Sequence, residues 1–246
     1  MSLLEKPARC EARIHVGLKF TQPVLGVLPR NRKALVGMFS VAFKGKKDYP
    51  PERIAEIADH VLEELGGESS PMTIQGLKKT RTGYYYIGAG CLKGCLSRTI
   101  SAVEAEAHGS DGLWRGAKVW SRSRIFMDPG KLVLHKIAGT RLVPVTSPDG
   151  QEERTLPPSW GRPNSAIVIS DYVDCPFIHF DLWYDGHEID QGQLRSWLEA
   201  AGMLGMMGWR TAGFGEFEVV NFEPRQPFIA AGAQHAYDDL PCHCLR

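Results

Sequence analysis

Three stretches of the chain combine glycine with isolated cations or flat rings, a mixture suited to a phosphate-bearing strand. The first is Gly88-Ala89-Gly90-Cys91-Leu92-Lys93-Gly94-Cys95-Leu96-Ser97-Arg98. It reads as a glycine-rich turn opening a helix, with Lys93 in the first turn. Backbone N–H groups and the helix dipole at such a start favour a phosphate. The Gly-Lys-Ser/Thr ending of a nucleotide-binding loop is missing, so Gly90, Lys93, Gly94 and Arg98 point to backbone contact rather than to a nucleoside triphosphate. The second stretch, 205–215, holds Gly208, Trp209, Arg210, Gly213, Phe214 and Gly215. Glycine is costly to order unless a backbone must come close to something. One guanidinium between two aromatic rings makes a cradle for a sugar-phosphate chain. The structural alternative is a tight connection that packs Trp209 inward. The third is Lys78, Lys79 and Arg81 ahead of Tyr84-Tyr85-Tyr86. Cations track a single strand while rings accept bases, and a basic turn entering a strand that packs its tyrosines reads equally well.

The usual hydrolytic and redox patterns are absent. There is no His-Glu-x-x-His, no Gly-x-Gly-x-x-Gly with an acidic partner and no Ser-His-Asp order. His179-x-Asp181 supplies two residues on one strand face, too few for a metal site. His15 sits on the polar side of an alternating strand, where it reads as exposed; it is also a candidate general base. Six cysteines occupy 10, 91, 95, 175, 242 and 244 without paired C-x-x-C spacing. They read as free thiols, and the Cys242-His243-Cys244 tail could still take up zinc. Neither a cofactor nor a resident metal is expected.

The elements that must carry these residues follow from periodicity. Residues 12–20 alternate, with Ile14, Val16, Leu18 and Phe20 on one face and Arg13, His15, Gly17 and Lys19 on the other. A basic loop then leads to Pro50-Pro51, which opens a helix striped by Ile54, Ile57, Ala58, Val61, Leu62 and Leu65. The helix after Gly90 buries Leu92, Leu96, Ile100 and Val103 and runs to about Ala107. Strands at 131–137 and 140–145 flank Ala138-Gly139 as a hairpin. Residues 147–164 are rich in proline, glycine and charge and read as a surface loop or disordered insert. Ala166 to Ile169 and Phe177 to Tyr184 are strands. Asp190 caps a helix running to about Gly202 with Leu194, Trp197, Leu198 and Ala201 inward, and 216–222 is a closing strand. The last strand–helix–strand unit, with its match in the first half, predicts an α+β fold. That fold is a ferredoxin-like (RRM-related) antiparallel sheet with helices on one face and a C-terminal Gly-rich loop. A single domain, 1–246, is expected, made of a first half (about 10–145), an insert (146–164), a strand–helix–strand unit (165–224) and a tail (225–246).

Charge is uneven beneath a net +1. Residues 21–47 hold six cations and no acid, and 69–148 hold twelve Lys/Arg against four acids. Residues 171–218 reverse this, with nine acids against Arg195 and Arg210. Such asymmetry fits a polyanion-binding face as well as local variation on solvated surfaces. With 43% hydrophobic and 23% charged residues the chain has enough apolar material for a real core, which excludes general disorder. No apolar run is long enough for a membrane span and the N-terminus lacks a signal-peptide core, so a cytoplasmic location without membrane contact is expected.

The segment Gly88 to Arg98 resembles the "G-s-s-L-K-G-x-x-R" motif of the RAMP superfamily of CRISPR-associated proteins. Gly208 to Phe217 is similar to that superfamily's C-terminal Gly-rich loop entering the last strand, and Leu18 to Gly26 to its first strand. The same landmarks resemble a group of uncharacterised phage and prophage proteins. The resemblance implies binding of single-stranded guide RNA within a multi-subunit ribonucleoprotein effector, with target DNA as a further partner. Processing enzymes of the superfamily use a histidine base to activate a ribose 2′-OH, without metal. Here no acid partner for His15 is recognisable. The resemblance therefore implies a non-catalytic subunit holding the guide backbone or its 5′ handle. The alternatives are a repeat-processing endoribonuclease and a phage assembly or DNA-handling protein without guide RNA.

Overall fold

Strand β1 (Ala12–Phe20) alternates as its sequence requires, and the alternation decides the architecture. Ile14, Val16, Leu18 and Phe20 are fully buried and meet Ile178, Phe180, Leu182 and Tyr184 of β13 (Phe177–Tyr184) in one core. In this computed structural model the described residues are 10–69, 74–107, 117–156, 166–206 and 214–225.

Between those two strands the chain forms β2 (Val24–Leu25), β3 (Leu28–Pro29), α1 (Arg32–Ala42), α2 (Pro51–Glu64), β4 (Ile74–Gly76), β5 (Lys78–Lys79) and β6 (Tyr85–Gly88). It continues through α3 (Ala89–Ala107), α4 (Ala117–Arg124), β7 (Ile125–Asp128), β8 (Lys131–Val133), β9 (His135–Ala138), β10 (Arg141–Pro144), β11 (Gly150–Leu156) and β12 (Ala166–Val173). After β13 come α5 (Gln191–Leu204) and β14 (Phe217–Arg225).

The central sheet runs β10-β9-β13-β1-β14, with β7 also on β13. Every pair is antiparallel. The path β14-β1-β13-β7 with crossovers β1–α3–β7 and β13–α5–β14 is the 4-1-3-2 order of a ferredoxin-like fold. Leu92, Cys95, Leu96 and Ile100 of α3 and Leu194, Trp197, Leu198 and Ala201 of α5 join the core beneath it. The fold is thus α+β, with both crossover helices on the apolar face of the antiparallel sheet.

A second sheet, β11-β12-β4-β3 with β2 on β12, and a third, β5-β6-β8, flank the first. Helices α1 and α2 form a hairpin between β3 and β4 with a small core of its own: Leu35, Ala58, Val61 and Leu65.

The structure corrects four local readings. Residues 150–156, expected in a loop, form β11 along β12. Their Gln-Glu-Glu-Arg-Thr sequence is polar because the strand lies at a sheet edge, where one side faces water. The basic loop after β3 is mostly the helix α1, capped by Asn31, whose side chain accepts from the Ala34 N–H at 3.0 Å. The glycine-rich turn before α3 does not exist as a turn. β6 ends at Gly88 and the helix starts at Ala89, so Gly90 and Gly94 are helical. Finally, His15 is not exposed: the residue is 3% accessible.

Candidate nucleic-acid interface

Helical spacing puts Gly90, Gly94 and Arg98 on one side of α3, at i, i+4 and i+8. All three are exposed, opposite the buried Leu92, Leu96 and Ile100. A methyl group added at Gly88, Gly90 or Gly94 would meet nothing within 4 Å among the described residues. Packing therefore does not require glycine here, although glycine weakens a helix interior by about 0.5–1 kcal/mol each. The outcome is a strip of bare helix backbone, at the positive end of the helix dipole, leading to a guanidinium without an ion pair among the described residues.

Lys93 points elsewhere. It is half-buried, and its Nζ donates to the Ile125 main-chain carbonyl, tying α3 to the first residue of β7. Ser97 Oγ donates back to the Lys93 carbonyl at 2.8 Å and pairs with Ser121 Oγ at 2.6 Å, extending the tie into α4.

The hairpin β5–β6 spends its cations in different ways. Lys78 bonds Glu64 of α2 at 2.8 Å, and Lys131 of β8 bonds the same carboxylate at 2.7 Å. Burial alone would raise the Glu64 pKa. Hydrogen bonds from Lys131, Lys78 and Tyr86 outweigh it and hold the carboxyl at about 2. The same partnership and burial push the Tyr86 hydroxyl well above its usual range. Lys79 lies over the Tyr85 ring, 4.7 Å from its centroid. Tyr85 and Tyr86 are core residues, so only Tyr84, half-buried, is placed to meet a base. Arg81 is exposed at the hairpin tip without an ion pair among the described residues.

Of the C-terminal loop, Gly208, Trp209, Arg210 and Gly213 lie outside the described residues. Its base is described. Gly215 takes φ +74°, and its N–H donates to Pro23 O at 3.2 Å while its carbonyl accepts from Met206 N–H at 3.0 Å. A side chain there would collide with the Met206 carbonyl. At this position glycine serves a backbone clasp. Phe214 faces the second sheet, with the Arg154 guanidinium 5.8 Å from its ring. It lines a cleft of about 440 Å³ with Pro23, Leu25, Lys136, Tyr172 and the carboxylates of Asp149, Glu152 and Asp174. Three acids against one ammonium is the wrong sign for a phosphate.

Sequence reading missed a polar cluster that the fold assembles from separate strands. On the sheet face turned away from the helices, His15 Nδ1 lies 3.0 Å from Asp181 Oδ1, and Arg13 binds the other carboxylate oxygen. His15 and His179 stack, with centroids 5.9 Å apart and planes within 8°, and His135 meets His179 edge-on at 6.3 Å. Burial, then the neighbouring His15 and His135, lowers the His179 pKa to about 4. Both of its ring nitrogens are buried without a hydrogen-bond partner among the described residues. Burial raises Asp181, but His15 and Arg13 more than offset this, leaving it below the ordinary carboxylate range. The missing acid partner of His15 is therefore Asp181, contributed by the strand beside it. Register supplied the only signal: residues 15 and 181 pair across β1 and β13. No group of three or more His, Cys, Asp or Glu is placed to hold a metal among the described residues. Cys10, Cys91, Cys95 and Cys175 are thiols outside any disulfide.

Strand order and crossovers define the class, a ferredoxin-like α+β protein. Comparison with known proteins finds no matching family model and no matching curated protein. Among solved structures, a chain in the "Cryo-EM structure of the Type III-B Cmr-beta bound to cognate target RNA" is similar, at 11% sequence identity and a TM-score of 0.44. The similarity covers 88% of this chain and 61% of that one, so the protein spans less than two thirds of its length. Among the described residues no helix is long and apolar enough to cross a membrane.

Proposed function

We propose that this protein is a non-catalytic RNA-binding subunit of a CRISPR-type ribonucleoprotein. It holds the backbone or 5′ handle of a single-stranded guide RNA beside other subunits. The observation that carries the reading is the open strip Gly90–Gly94–Arg98 on α3. Side-chain-free helix backbone next to an exposed guanidinium allows a ribose-phosphate chain to lie closer than any Cβ would permit. The resemblance of residues 88–98 to the RAMP motif supports it, and Arg81 and Tyr84 on the β5–β6 hairpin extend the surface. Lys78 and Lys93 act mainly as struts in this reading. Sequencing the nucleic acid that copurifies with the protein from its native host tests it. A small RNA of uniform length is expected. DNA, or no nucleic acid, favours the phage assembly reading instead.

A second reading, an endoribonuclease, draws on one observation: the His15–Asp181 hydrogen bond has the form of a base with its orienting carboxylate. Against it stand the 3% accessibility of His15 and the competing Arg13 on Asp181. Structured repeat RNA incubated with the protein in EDTA decides between the two. A product ending in a 2′,3′-cyclic phosphate, lost in His15→Ala, establishes the nuclease.

A further inference from the structure

Residues 21–47 contain six cations and no acid, and the fold sorts them into two sets. Arg30 reaches Asp171 at 3.7 Å, and Arg32 donates twice to the Asp59 carboxylate, at 2.5 and 3.0 Å. Lys33, Lys44, Lys46 and Lys47 are exposed and make no ion pair among the described residues. We infer that the outer face of α1, with the loop that follows it, is a second polyanion-binding surface for the sugar-phosphate backbone of a nucleic acid strand. It is distinct from the strip on α3.

Helical spacing puts Lys33, Gly37, Ser40 and Val41 on one side of the α1 axis, at i, i+4, i+7 and i+8, and Lys44 follows in the turn just past the helix end at Ala42. All are exposed. Gly37 and Ser40 put small side chains between the two lysines. Helix stability does not explain this pattern. Lys33 lies in the first turn, where the dipole opposes a cation; that turn holds no acid of its own, and the carboxylate at this end, Glu68, is engaged by the Arg32 N–H at 3.1 Å and by Asn31 at 3.0 Å.

The remaining lysines are held by an ordered loop. Phe43 and Tyr49 stack at 4.1 Å with planes within 8°, and Lys46 Nζ lies 5.3 Å from the Phe43 ring. Lys46 N–H donates to Phe43 O at 3.0 Å and Tyr49 N–H to Lys46 O at 3.2 Å. The backbone that carries Lys44, Lys46 and Lys47 is thereby ordered at one end of the helix, with Asp48 next in the chain. A loop already ordered spares the entropy of ordering its backbone when a strand binds.

Two other partners fit less well. An interfacial helix needs a wide apolar face. The apolar side of α1 is already used: Leu35 is fully buried, and Val36 and Phe39 pack on the hairpin core. Met38 and Val41 are the large apolar side chains α1 leaves exposed. The acidic α2 of a second copy would have to give up pairs it already makes, Arg53–Glu56 and Arg32–Asp59.

The test uses the full chain and the variant Lys33→Ala/Lys44→Ala/Lys46→Ala/Lys47→Ala, whose fold is checked by circular dichroism and melting. Fluorescence anisotropy is measured with a labelled 30-nucleotide single-stranded RNA, the same sequence as single-stranded DNA, and its DNA duplex, from 50 to 300 mM KCl. The variant is expected to bind at least one of the three roughly tenfold or more weakly at 100 mM. Its slope of log affinity against log salt should flatten by about 0.7 for each phosphate no longer neutralised, near 3 for all four on a single strand. The corresponding four-arginine variant should restore binding. The three probes show whether the strand is RNA, single-stranded DNA or duplex. Wild-type affinity and slope on all three probes in the alanine variant overturn the inference. So does a loss confined to binding of vesicles with 30% phosphatidylserine, or to self-association by sedimentation. An Arg98→Ala variant run in parallel separates the two surfaces: loss there with no loss in the lysine variant sinks this inference and leaves the α3 reading standing.

Discussion

Gly17 faces His179 across the β1–β13 ladder, and the missing side chain is what lets the imidazole lie flat against His15. A Cβ at position 17 would stand 3.1 Å from the His179 ring and 3.0 Å from the Asn221 side chain. Both neighbours are half-buried side chains that would have to give by a few tenths of an ångström to admit a single Cβ, and by more for a branched side chain. Gly17→Val should therefore destabilise the protein by roughly 1–3 kcal/mol, the usual cost of overpacking. His179→Ala in the same chain should recover part of that loss. Urea denaturation of the two single variants and the double variant checks the coupling; strict additivity would show that the two positions do not press on each other.

The histidine cluster also sets a pH dependence. Burial lowers His135 and brings His179 to about 4, whereas both titrate near 6.5 in an unfolded chain. Below pH 6.5 the unfolded chain takes up protons that the native one refuses. Stability is therefore full above about 6.5 and falls as the pH drops toward 4. His15, Arg13 and Asp181 adjoin the pair, and Glu223 opposite His15 on β14 and Asp128 opposite Asp181 on β7 are further charged groups on the same side of the sheet. The melting temperature should fall steadily over this range, and His179→Gln should flatten the curve. A wild-type melting temperature that stays constant from pH 6.5 to 4.5 would contradict the burial of these rings.

Glu64 is the acid that withholds two lysines from a polyanion. Glu64→Gln should cost about 1–3 kcal/mol, since it removes the charged hydrogen bonds from Lys78 and Lys131. The same change should raise RNA affinity several-fold at low salt and steepen its salt dependence, because two ammonium groups become available. In the wild type the contribution of Glu64 is present above about pH 4.5 and disappears as the pH falls toward 2. Anisotropy and denaturation on the same variant report the two effects separately; a variant that loses stability without gaining affinity would place Lys78 and Lys131 away from any bound strand.

Lys93 and Arg98, five residues apart in one motif, should behave differently. Lys93→Met removes the bond to the Ile125 carbonyl and should destabilise by about 1.5–3 kcal/mol. Arg98→Ala should leave stability within about 0.5 kcal/mol and weaken single-stranded RNA binding several-fold without altering sequence preference. Chemical denaturation and binding measured side by side reveal the division; an Arg98→Ala protein that binds as tightly as the wild type would leave α3 without a residue that touches the strand.

The strong periodicities were legible in the sequence. β1, β13, α2 and α5 fall where alternation, Pro50-Pro51 and the Asp190 cap place them, because each carries one continuous apolar face. β11 was not legible: an edge strand carries charge on its open side and looks like a loop. Nor were the roles of single residues. Lys93 and Arg98 look alike in a motif, and only the position of Ile125 separates a strut from an exposed cation. His15 looked exposed because alternation identifies the face a residue occupies. The neighbours that cover it, Asp181 and His179, come from a strand more than 160 positions away in the chain.

In the proposed function the glycines on the outer side of α3 let a strand approach the helix backbone. Among the described residues nothing occupies the space a methyl group would take at Gly90 or Gly94, so Gly90→Ala/Gly94→Ala should stabilise the helix by up to about 1–2 kcal/mol in total. Melting temperature and single-stranded RNA affinity are measured on that one variant. A higher melting temperature together with at least severalfold weaker binding is expected. A variant that melts higher and binds RNA as tightly as the wild type would show that the strand does not lie against these glycines.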